Sequence, residues 1–253
     1  MIERRPFAEL PSEDFGWLKV RRHLSADANE AAPGKSWGAL RVWSDHEFAP
    51  NGGFPLHAHA NVEIVTYVRE GALTHRDSLG NEGRIEAGSI QVLSAGTGLR
   101  HTEYNLEHGS LRLFQICISP ASQGGAPAWG TQPCPVAERG GGFVAVASGC
   151  GSDIEALPIR ARARVLNVKL KAGESAEYPL LDPGLAYLVP SSGAVEVNGT
   201  RIDARDGAAI RDVTVVRVTA LEDADVVMVD LPRDIGPGRP IATRPDATNP
   251  GMR

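Results

Sequence analysis

Cysteine is scarce, with three in 253 residues. Cys117, Cys134 and Cys150 are odd in number and scattered, with no C-x-x-C pair. This argues against a disulfide scaffold and a thiolate metal site, and reads as free thiols in a reducing cytoplasm. Long apolar runs are missing too. None approaches the ~18 residues of a membrane span. The opening Met1-Ile2-Glu3-Arg4-Arg5-Pro6 has no apolar stretch of the signal-peptide kind. A cytoplasmic chain without a membrane partner is expected. Positive charge is not in excess: 26 Lys and Arg face 31 Asp and Glu, a formal charge of -5. That argues against broad nucleic-acid binding. Stretches of helical period are scarce, and histidine is absent beyond His108. The second half therefore cannot build a histidine site.

What is present is glycine (28), proline (18) and an ordinary apolar fraction of 42%, enough for a buried core. Short β-rich runs recur between turn signals, among them 62–68, 89–93, 111–118, 164–170, 213–218 and 226–229. Asp77-Ser78-Leu79-Gly80-Asn81 and Asn198-Gly199 have hairpin-turn chemistry. The spacing predicts an all-β barrel or sandwich. The halves look like repeats. Tyr67, Gly71-Ala72-Leu73 and Gly88-Ser89-Ile90 have counterparts in Tyr187, Gly193-Ala194-Val195 and Gly207-Ala208-Ala209-Ile210. Counting back from each Tyr sets His57 against Glu177 and His59 against Pro179. Counting forward from the glycine sets His101 against Ala220.

Two motifs carry the chemistry: His57-Ala58-His59 and His101-Thr102-Glu103. On a strand, residues i and i+2 point to the same face. Each motif thus offers two ligands to one spot, and two facing strands close a four-ligand site. Three imidazoles and a carboxylate suit a divalent first-row metal with positions left open. Glu63 reads as a buried, hydrogen-bonded neighbour of the site rather than a ligand. His75 reads as a surface or supporting histidine. His23, His46 and His108 carry no motif, and Trp17, Trp37, Trp43 and Trp129 read as packing residues.

The segments Gly52-Gly53-Phe54-Pro55-Leu56-His57-Ala58-His59, Glu70-Gly71-Ala72, His75-Arg76-Asp77-Ser78 and Ser94-Ala95-Gly96-Thr97-Gly98, with His101-Thr102-Glu103-Tyr104-Asn105, together resemble the two cupin motifs of the pirin family. The branch is the one that includes quercetin 2,3-dioxygenases. The resemblance is dense over 50–118 and looser through Asp230. It implies a bicupin, two β-barrels in one chain with metal only in the first. The expected division is a metal-binding domain at 1–125, a metal-free domain at 126–232, and an extended tail at 233–253. The implied ligands are His57, His59, His101 and Glu103. The implied ion is Fe(II), with Cu, Ni, Mn, Co or Zn accepted by the same donors. A monomer is the family default. Ala60-Asn61-Val62, Leu93 and Thr97 depart from common family residues, and are expected to flank the cavity mouth.

Four ligands on an ion that accepts six leave two positions. Three neutral imidazoles and one carboxylate leave a divalent complex near +1, favouring an anionic chelator such as a deprotonated flavonol. The reading is a dioxygenase acting on quercetin-like substrates with dioxygen, in which Glu103 also serves as the catalytic base. The alternative is a non-enzymatic, iron redox-sensing regulator working through protein partners. A metal-dependent cupin isomerase is a third reading. The first two part on whether the metal site is open or sealed.

Overall fold

Burial alternates with period two along strands that have one face in solvent, whereas strands such as Glu63–Glu70 and Ala224–Leu231 are buried on both faces. Ser175–Pro179 alternates exposed and buried at every residue, and Val195–Val197 does the same. The computed structural model describes residues 1–26, 36–134, 141–180 and 184–233. Nearly all of the regular structure there is strand, with one 3-10 turn at Phe7–Glu9. No described helix is long and apolar enough to cross a membrane. The expected tail lies outside the described residues from 234 onward.

The strands form two barrels, each a seven-stranded sheet facing a four-stranded one. In the first barrel the small sheet runs Gly53–His59, Leu99–Tyr104, Ala72–Asp77, Glu82–Glu86. In the second it runs Ser175–Pro179, Val215–Ala220, Val195–Val197, Thr200–Ile202, in the same spatial order. The large sheets also match: Glu63–Glu70 and Leu185–Ser192 hold the third place in each, carrying Tyr67 and Tyr187. The repeat legible in the sequence is therefore a repeat of topology.

Strand pairing does not respect a cut at 125/126. Ile2–Arg5 pairs with Gly207–Arg211 of the second barrel. Ala128–Pro133 pairs with Ser89–Ser94 of the first. An outer edge of each large sheet is thus covered by a strand from the other side of that boundary, which removes an exposed edge.

The two large sheets face each other. Trp43, Phe114, Val65 and Ile116 of the first barrel share one core with Tyr187, Val189, Val227 and Val229 of the second. Trp43 is fully buried, with ring centroids 5.7 Å from Phe114 and 5.5 Å from Tyr187. Burying side chains of this size contributes roughly 1.5–3 kcal/mol each. Asp45 adds a polar tie: Arg205 of the second barrel donates to it at 2.7 Å, and Arg69 of the first bonds its other oxygen.

Candidate metal centre

The interior of the first barrel is interrupted by polar side chains. One apolar cluster holds Leu18, Val20, Phe48 and Leu113. Another holds Ile64, Leu93 and Leu99. His46, Thr66, His75, Gln91, His101 and Glu103 are all buried in the same barrel.

Two neighbouring strands bring the motifs together. Leu99–Tyr104 pairs antiparallel with Gly53–His59, setting His101 opposite His57 and Leu99 opposite His59. The ladder then slips, so that Glu103 stands opposite Phe54. The extra residue is a bulge on the Gly53–His59 side, and bulges re-aim side chains. Here it lets Phe54 share the face of His57, at 5.8 Å between rings, despite an odd spacing.

The three histidines converge. Ring centroids lie 4.4 Å apart for His57–His101, 4.8 Å for His57–His59 and 5.1 Å for His59–His101. One ring nitrogen from each falls within 4.8 Å of the others. His57 Nδ1 lies 2.7 Å from the Pro55 carbonyl oxygen. That contact fixes the tautomer and leaves Nε2 free to coordinate. His57 and His59 are half-exposed, whereas His101 is fully buried. The cluster therefore opens to solvent on the side of His57 and His59. Burial, reinforced by neighbouring imidazoles, lowers His59 to about 4 and His101 to about 3. Both rings are neutral at pH 7, the state in which imidazole binds a metal.

Glu103 joins His101 in a second convergent group, with His75 as its third member. Its Oε1 accepts from Gln91 Nε2 at 2.8 Å, and its Oε2 accepts from Gln115 Nε2 at 3.1 Å. Burial pushes its carboxyl up to about 7, against these two hydrogen bonds. The four expected ligands thus stand as three converging imidazoles with the carboxylate adjoining through His101.

Other expected residues fall differently. Glu63 is buried and accepts from the Ser94 hydroxyl, and neither convergent group includes it. His75 is not at the surface. It is fully buried, faces Glu103 on the adjacent strand, lies 3.4 Å from Asp77 Oδ2 through Nε2, and stacks on Trp129 at 5.1 Å. His23 and His46 are buried in aromatic surroundings, and His108 is exposed. Leu93 does not flank the mouth; it is a core residue with no exposure. Gly96 carries a positive φ of 49°, and an added Cβ would strike the Gly125 carbonyl at 2.3 Å.

Gln91, Gln115 and Trp129 are the participants that sequence reasoning missed. Gln91 and Gln115 alternate with apolar neighbours on the strands Ser89–Ser94 and Leu111–Ile118. Glutamines at inward positions of two paired-sheet strands were the available signal.

The donor set fits a divalent metal. Both nitrogens of His101 are buried without a hydrogen-bond partner among the described residues. An unsatisfied buried imidazole is costly unless something coordinates it. With His57 Nε2, His59 and an adjoining carboxylate, the donors are nitrogen and oxygen only, as such ions prefer.

Comparison with known proteins gives this arrangement its relatives. The family model described as Pirin matches residues 22–118, and that described as Quercetinase C-terminal cupin domain matches 145–231. A pirin-like protein of Caulobacter vibrioides is 56% identical over 230 residues, covering 91% of this chain and 99% of the relative. The chain belongs to the pirin family. A protein of Escherichia coli named quercetin 2,3-dioxygenase is 32% identical, over 92% of this chain and 99% of its own length. The crystal structure of the E. coli pirin YhhW in complex with nickel(II) superposes with a TM-score of 0.84 at 32% identity, covering 92% of this chain and 100% of that one. The pirin fold here is the bicupin that the resemblance implied.

Proposed function

We propose that this pirin is a metal-dependent dioxygenase acting on flavonol-like substrates such as quercetin, with His57, His59, His101 and Glu103 holding one divalent ion. The observation that carries the reading is the convergence of three imidazoles, two of them half-exposed, beside a buried carboxylate. Nickel in the E. coli pirin, and the dioxygenase names of relatives, support it. We take Fe(II) as the native ion, a monomer as the working unit and the cytoplasm as its place. The three cysteines are free, as a reducing compartment leaves them.

When bound, a divalent ion supplies Lewis acidity and positions for exogenous oxygen ligands. The remaining work falls to the chain. His57 and His59, half-exposed, face the approaching substrate, and His101 anchors the site from the interior. Phe54, edge-on to His57, offers an aromatic surface to a planar ring. Glu103 takes the substrate hydroxyl proton, while Gln91 and Gln115 hold its two oxygens in place. The opening at His57 and His59 favours turnover over a sealed regulatory centre.

The test is anaerobic metal analysis paired with oxygen uptake on quercetin, using wild type and His57→Ala. Wild type is expected to bind one ion per chain and consume oxygen with the flavonol. His57→Ala is expected to lose at least 90% of both signals (about 1.4 kcal/mol or more) while keeping its fold. Stoichiometric metal without oxygen uptake for Fe, Cu, Ni or Mn would return the protein to the regulatory reading.

A further inference from the structure

Trp129 lies outside the first cupin motifs, on the strand Ala128–Pro133 that follows the first barrel in sequence. That strand folds back to pair with Ser89–Ser94, setting Trp129 opposite Leu93. From there Trp129 Nε1 donates to Gln91 Oε1 at 2.9 Å, and Gln91 Nε2 donates to Glu103 Oε1 at 2.8 Å.

This chain has a direction. A primary amide presents an oxygen on one side and an N–H2 on the other, and rotating it by half a turn exchanges them. An indole N–H can only donate. By occupying the oxygen of Gln91, Trp129 leaves the N–H2 facing Glu103. The reversed amide would set its oxygen against the carboxylate and its N–H2 against the indole N–H, losing both bonds.

The indole itself is held from two sides. One face stacks on His75 at 5.1 Å, with 12° between the planes. The ring edge reaches over Gly83, where a Cβ would meet Trp129 at 2.6 Å. Gly83 pairs with His75, so one backbone position supports both rings. The strand bearing Trp129 also leans on the second barrel. Gln132 Nε2 donates to the Glu155 carbonyl at 3.2 Å, and a Cβ on Gly130 would lie 3.3 Å from Leu157.

We propose that Trp129 is a positioning residue for the metal centre, setting the orientation of the Glu103 carboxylate by locking the Gln91 amide. The last strand added to the first barrel's large sheet thereby completes a site whose ligands all precede it in sequence. This rests on the reading of His57, His59, His101 and Glu103 as the ligand set.

The experiment measures Ni(II) affinity by titration of metal-free protein, for Trp129→Phe, Gln91→Leu, the double variant, and Gln115→Leu with and without Trp129→Phe. Exchange of the Trp129 indole proton is followed by NMR in the metal-free state. Trp129→Phe keeps an aromatic ring beside His75 and removes the donor together with part of the ring. It is expected to weaken Ni(II) binding roughly tenfold to a hundredfold, as loss of a partner beside a metal ligand does. Gln91→Leu is expected to cost a similar factor, and the double variant no more than either alone, because both break one chain. Gln115→Leu acts on the other oxygen, and its factor should multiply with that of Trp129→Phe. Gly83→Ala, which displaces the indole without touching Gln91, should weaken binding in the same direction. Wild type should show a protected indole proton that Gln91→Leu releases.

Unchanged affinity in Trp129→Phe, or factors for Trp129→Phe and Gln91→Leu that multiply, would overturn the proposal. An unprotected indole proton in wild type would overturn it at its geometry, leaving the metal reading standing. Wild type that binds no Ni(II) while the indole proton is protected would sink the ligand assignment, and the proposal with it.

Discussion

The two barrels share a strand order and differ in what fills them. The second is packed by one continuous apolar cluster that includes Leu166, Val195, Val216, Val218 and Ile210. The first has two smaller clusters with polar groups between them. Register makes the comparison residue by residue. His57 pairs with His101, and Tyr178 with Val216. Glu103 pairs with His75, and Val218 with Val197. His59 faces Leu99, as Leu180 meets Thr214 through a backbone bond. The four proposed ligand positions are therefore Tyr178, Leu180, Val216 and Val218 in the second barrel. By the same register Gln91 corresponds to Ile210, and Gln115 to Asp230. One barrel carries the polar groups of the proposed site, and its twin fills the same four positions with Tyr178, Leu180, Val216 and Val218.

The largest effect is expected from placing the carboxylate where the second barrel has none. Val218→Glu buries a charge at a position with no exposure. Ile210 offers no amide to receive it, and Asp230 stands where Gln115 would be. An uncompensated buried charge costs roughly 3–5 kcal/mol. Denaturant unfolding should show a loss of that size. If Val218→Glu were as stable as wild type, the framework would tolerate buried carboxylates generally, and the amide pair around Glu103 would lose its significance.

How much of this was legible in the chain follows from the same register. The ligand motifs could be read because strand geometry has period two, so His57 with His59, and His101 with Glu103, share faces without knowledge of the partner strand. Matching the halves by counting failed for the same reason. The connection from the site strand to Tyr187 is one residue shorter than its counterpart to Tyr67. A slip of one residue exchanges the faces of a strand. Counting therefore selected Glu177 and Pro179, which are exposed, in place of Tyr178 and Leu180. The loop before Val215–Ala220 is shorter again, which moves the counterpart of His101 from Ala220 to Val216. The partners of Glu103 were illegible because Gln91 and Gln115 come from two other strands, and Trp129, which holds Gln91, lies beyond the expected domain boundary. Which strand becomes a neighbour is decided by sheet closure, not by local pattern.

Acid should separate the barrels next. Buried histidines are confined to the first, where desolvation lowers His23 and His46 each to about 3. The unfolded chain takes up a proton on each near pH 6.5, and the folded chain does so only near 3. The stabilisation is thus whole above pH 6.5 and is lost progressively as pH falls toward 3. Between pH 7 and pH 5 each residue contributes up to about 2 kcal/mol of loss. His46→Leu borrows the residue that the second barrel carries at the matching position, Leu166. Chemical denaturation at pH 7 and pH 5 should show a smaller stability difference for this variant than for wild type. An unchanged difference would mean that His46 opens to water before the chain unfolds.

The smallest effect distinguishes the two hairpin turns that close the small sheets. In the second barrel the turn is Asn198-Gly199, both with positive φ, at 44° and 86°. Asn198 also accepts from Arg217 N and donates to the Val215 carbonyl. In the first, Asp77 accepts from the backbone of Leu79 and Asn81 and from the Asn81 side chain, and also reaches His75. Asn198→Ala forces a Cβ into the left-handed region and removes two hydrogen bonds, for a loss of about 1–2 kcal/mol. Asp77→Ala should cost a similar amount of stability. The difference is expected in metal titration. Asn198→Ala leaves Ni(II) affinity unchanged, because nothing in its barrel leads to a ligand. Asp77→Ala lowers it, because His75 loses the carboxylate that orients it beside His101 and Glu103. Equal affinities for the two variants would mean that the first turn, like the second, only closes its sheet.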